Sequence, residues 1–98
     1  MSKEQMVGGW EFHTDQMKPC DLPQKAATAF SKATHGIVGV SYVPVLYVAS
    51  QLVSGMNYCI VCKTTATTNP PMKSCKTLTI YEDLAGNAKI TKIEDIVG

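Results

Sequence analysis

Gln51-Leu52-Val53-Ser54-Gly55-Met56-Asn57-Tyr58 decides the fold, because it sets an apolar, glycine-closed turn between two runs that both read as strands. Val38 to Ser50 upstream is rich in β-branched and aromatic residues, and Met56 to Thr68 downstream reads as a second strand. Two such runs around a short turn predict a hairpin. Hairpin tips are ordinarily built from Asn, Asp, Gly, Pro and Ser, each for a backbone reason. Leu52 and Val53 therefore leave an apolar wedge facing water, which marks the tip as a candidate contact site. Pro44 interrupts the first run, and proline removes a ladder donor, so a bulge or irregular pairing is expected there.

Working outward, Lys76 to Glu82 and Ala88 to Ile93 read as two further strands. Asn69-Pro70-Pro71 breaks the chain ahead of the first of these, and Asp83-Leu84-Ala85-Gly86-Asn87 joins the two as a tight connection. Upstream, Leu22, Ala26, Ala29, Phe30 and Ala33 form one helical stripe, with Gln24, Lys25, Thr28, Ser31 and Lys32 on the other face. The pattern predicts a helix from about Leu22 to Thr34. Asp21 offers an N-cap oxygen, Pro23 sits in the first turn, and Gly36 stops the helix. Trp10-Glu11-Phe12-His13 alternates as a half-buried strand does.

In the run from Asn57, Lys63 must face water. That parity puts Asn57, Cys59, Val61 and Thr65 outside, and turns Tyr58, Ile60, Cys62 and Ala66 toward the helix, where Leu78 and Ile80 join them. The expected architecture is α+β, a single domain over 1–98 in which one helix covers one face of an antiparallel sheet of four or five strands.

With 98 residues the chain can bury roughly 60–65% of its unfolded surface and needs no staples to fold. The net charge is +1, all nine basic residues are lysines, and none cluster. Nucleic acid and anionic membrane surfaces are therefore not expected partners. No apolar run reaches the ~18 residues of a membrane span. Met1-Ser2-Lys3-Glu4-Gln5 lacks the apolar core of a signal peptide, so the expected location is cytoplasmic unless a leader has been removed.

Gln51, Val53 and Gly55 fill the three fixed places of a Gln-x-Val-x-Gly loop, and the segment resembles that of the cystatins, inhibitors of papain-like cysteine proteases. Met6-Val7-Gly8-Gly9 is similar to that family's N-terminal trunk, with 1–7 expected to be flexible. The order of strand, helix and four-stranded meander matches the fold the resemblance implies, a curved antiparallel sheet around one helix. It also implies a reversible, non-covalent inhibitor whose edge is a line of three elements. These are Met6, Val7, Gly8 and Gly9; then Gln51, Leu52, Val53, Ser54 and Gly55; then Leu84, Ala85 and Gly86. The third departs from the family, which carries Pro-Trp or Leu-Pro-Gly there. Ala85 supplies neither a large anchor nor a rigid turn, so weaker inhibition, or a cystatin-like binding module with a non-protease partner, stands as the alternative. A monomer is expected, with domain swapping open to strained hinge loops.

Cys59-Ile60-Val61-Cys62 has C-x-x-C spacing, but in a strand those two side chains point to opposite faces. No metal site, cofactor or disulfide between them is expected, and reduced cysteines packed as small hydrophobes are the expectation for most of the four. If Asn69-Pro70-Pro71 centres its hairpin, Cys62 falls opposite about Tyr81. His13 and His35 are the two histidines, and neither stands in a pattern that suggests catalysis. Glu82 and Asp83 read as carboxylates that keep their loop soluble. An enzyme is not expected.

Overall fold

The computed structural model describes residues 6–7, 10–11, 13 and 16–96. Two short strands come first, β1 (Met6–Val7) and β2 (Trp10–Glu11), followed by the helix α1 (Gln24–Thr34). A meander of β3 (Val40–Val53), β4 (Gly55–Ala66), β5 (Met72–Glu82) and β6 (Ala88–Asp95) completes the chain. These four form one antiparallel sheet in sequential order, while among the described residues β1 and β2 pair with each other in a separate two-stranded sheet. The fold is thus one helix against a four-stranded antiparallel sheet, an α+β arrangement. The sequence placed 10–13 as a strand. Trp10–Glu11 is extended, but its partner is Met6–Val7 rather than the main sheet.

The expected parity of β4 holds. Tyr58, Ile60 and Cys62 are buried with Leu78 and Ile80 against Ala26 and Ala29 of the helix. Two alanines at the contact let the helix lie close to the sheet, and Leu22, Phe30, Ala33, Met56 and Ile90 close the margins. Thr64, left out of the expected inward set, is also buried. Its hydroxyl lies 2.7 Å from that of Ser74, so the polar group is satisfied inside. The helix packs on β5 and β6. Its eleven residues span about 16 Å, far short of the 47 Å long axis of the molecule.

Register differs from expectation in one hairpin. Pairing runs down to Ala66↔Met72, so β5 starts four residues before Lys76 and Cys62 faces Lys76 rather than Tyr81. The reason is that the connection is tight, with only residues 67–71 outside the β4–β5 ladder; on the other side of β4, Thr67 N–H donates to the Gly39 carbonyl at 2.9 Å. Cys75 consequently pairs with Lys63 on the face away from the helix, where Lys63 Nζ donates to the Met17 carbonyl at 3.4 Å. All four cysteines are free. Burial pushes the Cys62 thiol up to about 12 and raises that of Cys75 as well. At neutral pH these two are unreactive packing groups.

Pro44 produces the expected irregularity, with register shifts at Pro44/Leu46 and again at Tyr47/Ala49. The helix ends as the sequence indicates, at Thr34 with Gly36 at φ +79°. Its start does not. Pro23 is itself the N-cap, extended at ψ 149°, and no side chain caps the helix, so Asp21 has no capping role. The Pro23 carbonyl takes the first helical bond, from Ala27 N–H at 2.8 Å.

Candidate functional site

The β3–β4 hairpin closes more tightly than the sequence suggests. Pairing continues through Gln51↔Asn57 and Leu52↔Met56 to Val53↔Gly55, which leaves Ser54 as the single residue outside the ladder. Such a turn demands a backbone that L-residues avoid, and Gly55 supplies it at φ +115°. The surroundings exclude a side chain as well, since a Cβ on Gly55 would stand 2.2 Å from the Glu82 carbonyl oxygen. Two side-chain contacts fix the tip. Asn57 Nδ2 donates to Gln51 Oε1 at 3.1 Å across the hairpin, and the Tyr81 hydroxyl donates to the Ser54 carbonyl from the neighbouring strand. Gln51 thus braces the tip rather than only lying on it.

Leu52 follows the inward parity of Met56 and Tyr58, yet it stands at the end of the sheet and is 82% exposed. Val53 is 41% exposed. Together they form the apolar wedge expected from the sequence.

The second hairpin loop is built around a carboxylate. Asp83 Oδ1 accepts from Ala85 N–H at 3.0 Å and Asn87 N–H at 2.9 Å, and Oδ2 accepts from Asn87 Nδ2 at 3.3 Å. This corrects the reading of Asp83 as a merely solubilising group. Lys32 Nζ reaches from the last turn of the helix to the Gly86 carbonyl at 2.7 Å, tying the loop to α1. Gly86 takes φ +90°. Leu84 stands at the apex, 85% exposed, with Ala85 exposed beside it.

Hydrogen bonds from Asn87 N–H above all, then from the Asn87 amide, Ala85 and Gly86, hold the Asp83 carboxyl below the usual carboxylate range. A depressed folded pKa contributes order that is fully present above the unfolded value near 3.8 and is lost as pH falls through the folded one. In an NMR pH titration the Asp83 carboxyl carbon is expected to titrate below the free carboxylate value, and Asp83→Ala is expected to broaden the amide signals of 84–87 at neutral pH. Titration of Asp83 at or above the free value would contradict the bonding.

Met56↔Glu82 is the last pair shared by β4 and β5, so Gly55 lies directly beside Glu82 and Asp83. Two of the three segments singled out from the sequence, Gln51–Gly55 and Leu84–Gly86, therefore share one end of the sheet. Of the third, Met6 and Val7 form β1, while Gly8 and Gly9 lie outside the described residues. Tyr81, Lys32 and Asp83 are the supporting residues that sequence reading missed. Asp83 ahead of Gly86-Asn87 carried a usable Asx-turn signal. Tyr81 and Lys32 act across the fold and left none.

Among the described residues no group of three His, Cys, Asp or Glu side chains could hold a metal ion, and no helix is long and apolar enough to cross a membrane. His13 and His35 are exposed, the latter as the C-cap of α1. No protein-family model, curated protein or solved structure matches the chain. The resemblance to the cystatins accordingly rests on the sequence patterns of Gln51–Gly55 and Met6–Gly9 and on the order of the elements, and no match identifies the chain as a member of that family.

Proposed function

We propose that this protein is a reversible, non-covalent inhibitor of papain-like cysteine proteases that fills the active-site cleft with its paired hairpin tips. The observation that carries the reading is the apolar pair at one end of the sheet, Leu52 and Leu84, each more than four-fifths exposed on a braced loop. Apolar groups held in water at a rigid edge cost free energy in the free protein and lose little conformational entropy on docking. A protease cleft takes substrate as an extended chain. The Val53-Ser54-Gly55 turn, strapped through the Ser54 carbonyl, offers apolar contact without an extended bond to cleave. Occlusion without turnover is the mechanism that follows.

Ala85 favours the second reading, a cystatin-like module for a non-protease partner, because its methyl adds little contact area where aromatic anchors commonly carry the energy. Inhibition constants against a panel of papain-like proteases separate the two. Wild type is expected to inhibit reversibly and competitively. Val53→Asp is expected to weaken inhibition about thirtyfold, the effect of losing roughly 2 kcal/mol at a central anchor. Deleting 1–7 should weaken it without unfolding the domain, and Ala85→Gly should change it little. If wild type leaves the whole panel uninhibited at high micromolar concentration, the inhibitor reading fails and the binding-module reading replaces it.

A further inference from the structure

Between Lys32 and Lys63 the chain carries no Lys, Arg, Asp or Glu, so the whole of β3 and most of β4 are uncharged. Among the described residues β3 is also an outer strand of the main sheet, and alternate residues along it point their N–H and C=O groups away from β4. Folded proteins blunt such an edge with charge, proline, bulges or a cover. β6, the opposite edge, follows that rule with Lys89, Lys92, Glu94 and Asp95. The lower part of β3 follows it too. Pro44 lacks a donor, its carbonyl is taken by Cys20 N–H at 2.9 Å, and the register shifts between Pro44 and Leu46 and again between Tyr47 and Ala49. Above the second shift none of these devices remains. Ala49, Ser50, Gln51, Leu52 and Val53 pair in unbroken register with the segment from Cys59 back to Gly55, and all five are exposed.

We propose that this edge pairs with the same edge of a second copy, forming a two-fold dimer in which residues 49–53 run antiparallel to their counterparts while each copy keeps its own hairpin. The bulge at one end and the Ser54 turn at the other confine the pairing to these five residues, so the axis falls at the middle one, Gln51. Ser50 then stands opposite Leu52 and Ala49 opposite Val53. Gln51 meets its own copy, where each side-chain amide offers both donors and an acceptor. No like charges oppose one another, which lets this sequence pair with itself. Helix α1 packs on β5 and β6, the strands farthest from the edge, and does not block the approach. The joined sheet has a charged β6 at both ends, so the assembly closes as a dimer instead of growing into a fibre. Five residue pairs bury too little for a permanent interface, so half-association is expected at about 0.1–1 mM. The pairing is made by the backbone edge and does not depend on what the tips bind.

Sedimentation equilibrium and ¹⁵N NMR of the full chain from about 0.02 to about 2 mM test the proposal without any protease. The expected result for wild type is a mass rising toward that of a dimer, with concentration-dependent amide shifts centred on 48–53. Gln51→Lys and Gln51→Glu should each stay monomeric over that range. Their equimolar mixture should dimerise at least as tightly as wild type, because the axis sets the two opposite charges face to face. Ser50→Lys leaves the contact of Gln51 with Asn57 in place and should also be monomeric, with its melting curve unchanged. Lys89→Glu on β6 should dimerise as wild type does. The proposal is overturned if wild type is monomeric at about 2 mM, if the shifts fall on β6 instead of 48–53, or if Ser50→Lys dimerises normally. It is equally overturned if the mixture of folded Gln51 variants stays monomeric, or if labelled and unlabelled copies exchange only after unfolding, which would mean that the copies trade strands and do not pair edges.

Discussion

Replacing Gly55 with alanine is expected to destabilise the domain by about 2–4 kcal/mol, a large share of the ~5–15 kcal/mol that separates folded from unfolded chains of this size. Two independent penalties act together. At φ +115° an L-residue is strained, and the new Cβ would overlap the Glu82 carbonyl oxygen at 2.2 Å. That oxygen belongs to the backbone of β5, where Glu82 pairs with both Met56 and Ala88, so it cannot move without disturbing two ladders. Gly39→Ala is the control. It has a comparable φ of +86° but open space around its Cβ position, so only the strain of roughly 1 kcal/mol remains. Urea titration of the two variants measures the difference. Equal losses would show that the hairpin can shift away from β5, and the tip could no longer be called rigid.

The same residue illustrates how much of the site was legible in the sequence. Gly55 could be read as a turn glycine, and Leu52 with Val53 as an exposed wedge, because turn chemistry and strand parity are local properties. What braces the turn could not be read. Tyr81 lies 27 residues from Ser54, and its contact exists only because β4 and β5 pair with Met56 opposite Glu82. Register was the weak link elsewhere too. The β4–β5 pairing centres on Asn69, and setting Cys62 opposite Tyr81 instead of Lys76 put that centre about two to three residues too late, which also delayed the start of β5. The inward set of β4 survived that error, since the faces of a strand follow from its own period and not from its partner's. Thr64 was missed for another reason. A hydroxyl reads as outward until Ser74 is known to stand opposite it. At the helix start, two capping signals, Asp21 and Pro23, competed over three residues, and the extended Pro23 backbone prevailed.

Leu78→Ala is the second substitution with a large expected effect, and it separates stability from function. Leu78 is fully buried on β5, opposite Ile60 and under the helix. Truncating it removes an isopropyl group from the centre of the core and leaves a cavity that the two alanines of α1, already in contact with the sheet, cannot fill. Such changes cost about 3–4 kcal/mol, which for a domain of this size lowers the thermal midpoint by roughly 15–25 °C. Leu84→Ala is the counterpart on the surface. With Leu84 85% exposed, its removal should change stability by less than about 0.5 kcal/mol. If the paired tips bind a protease, the two variants should part in opposite ways. Leu84→Ala should lose affinity with its melting curve unchanged, while Leu78→Ala should lose inhibition only in proportion to its unfolded fraction and recover it at lower temperature. A Leu84→Ala protein that inhibits as wild type does would remove the second hairpin from the binding edge and leave Leu52 and Val53 to carry it alone.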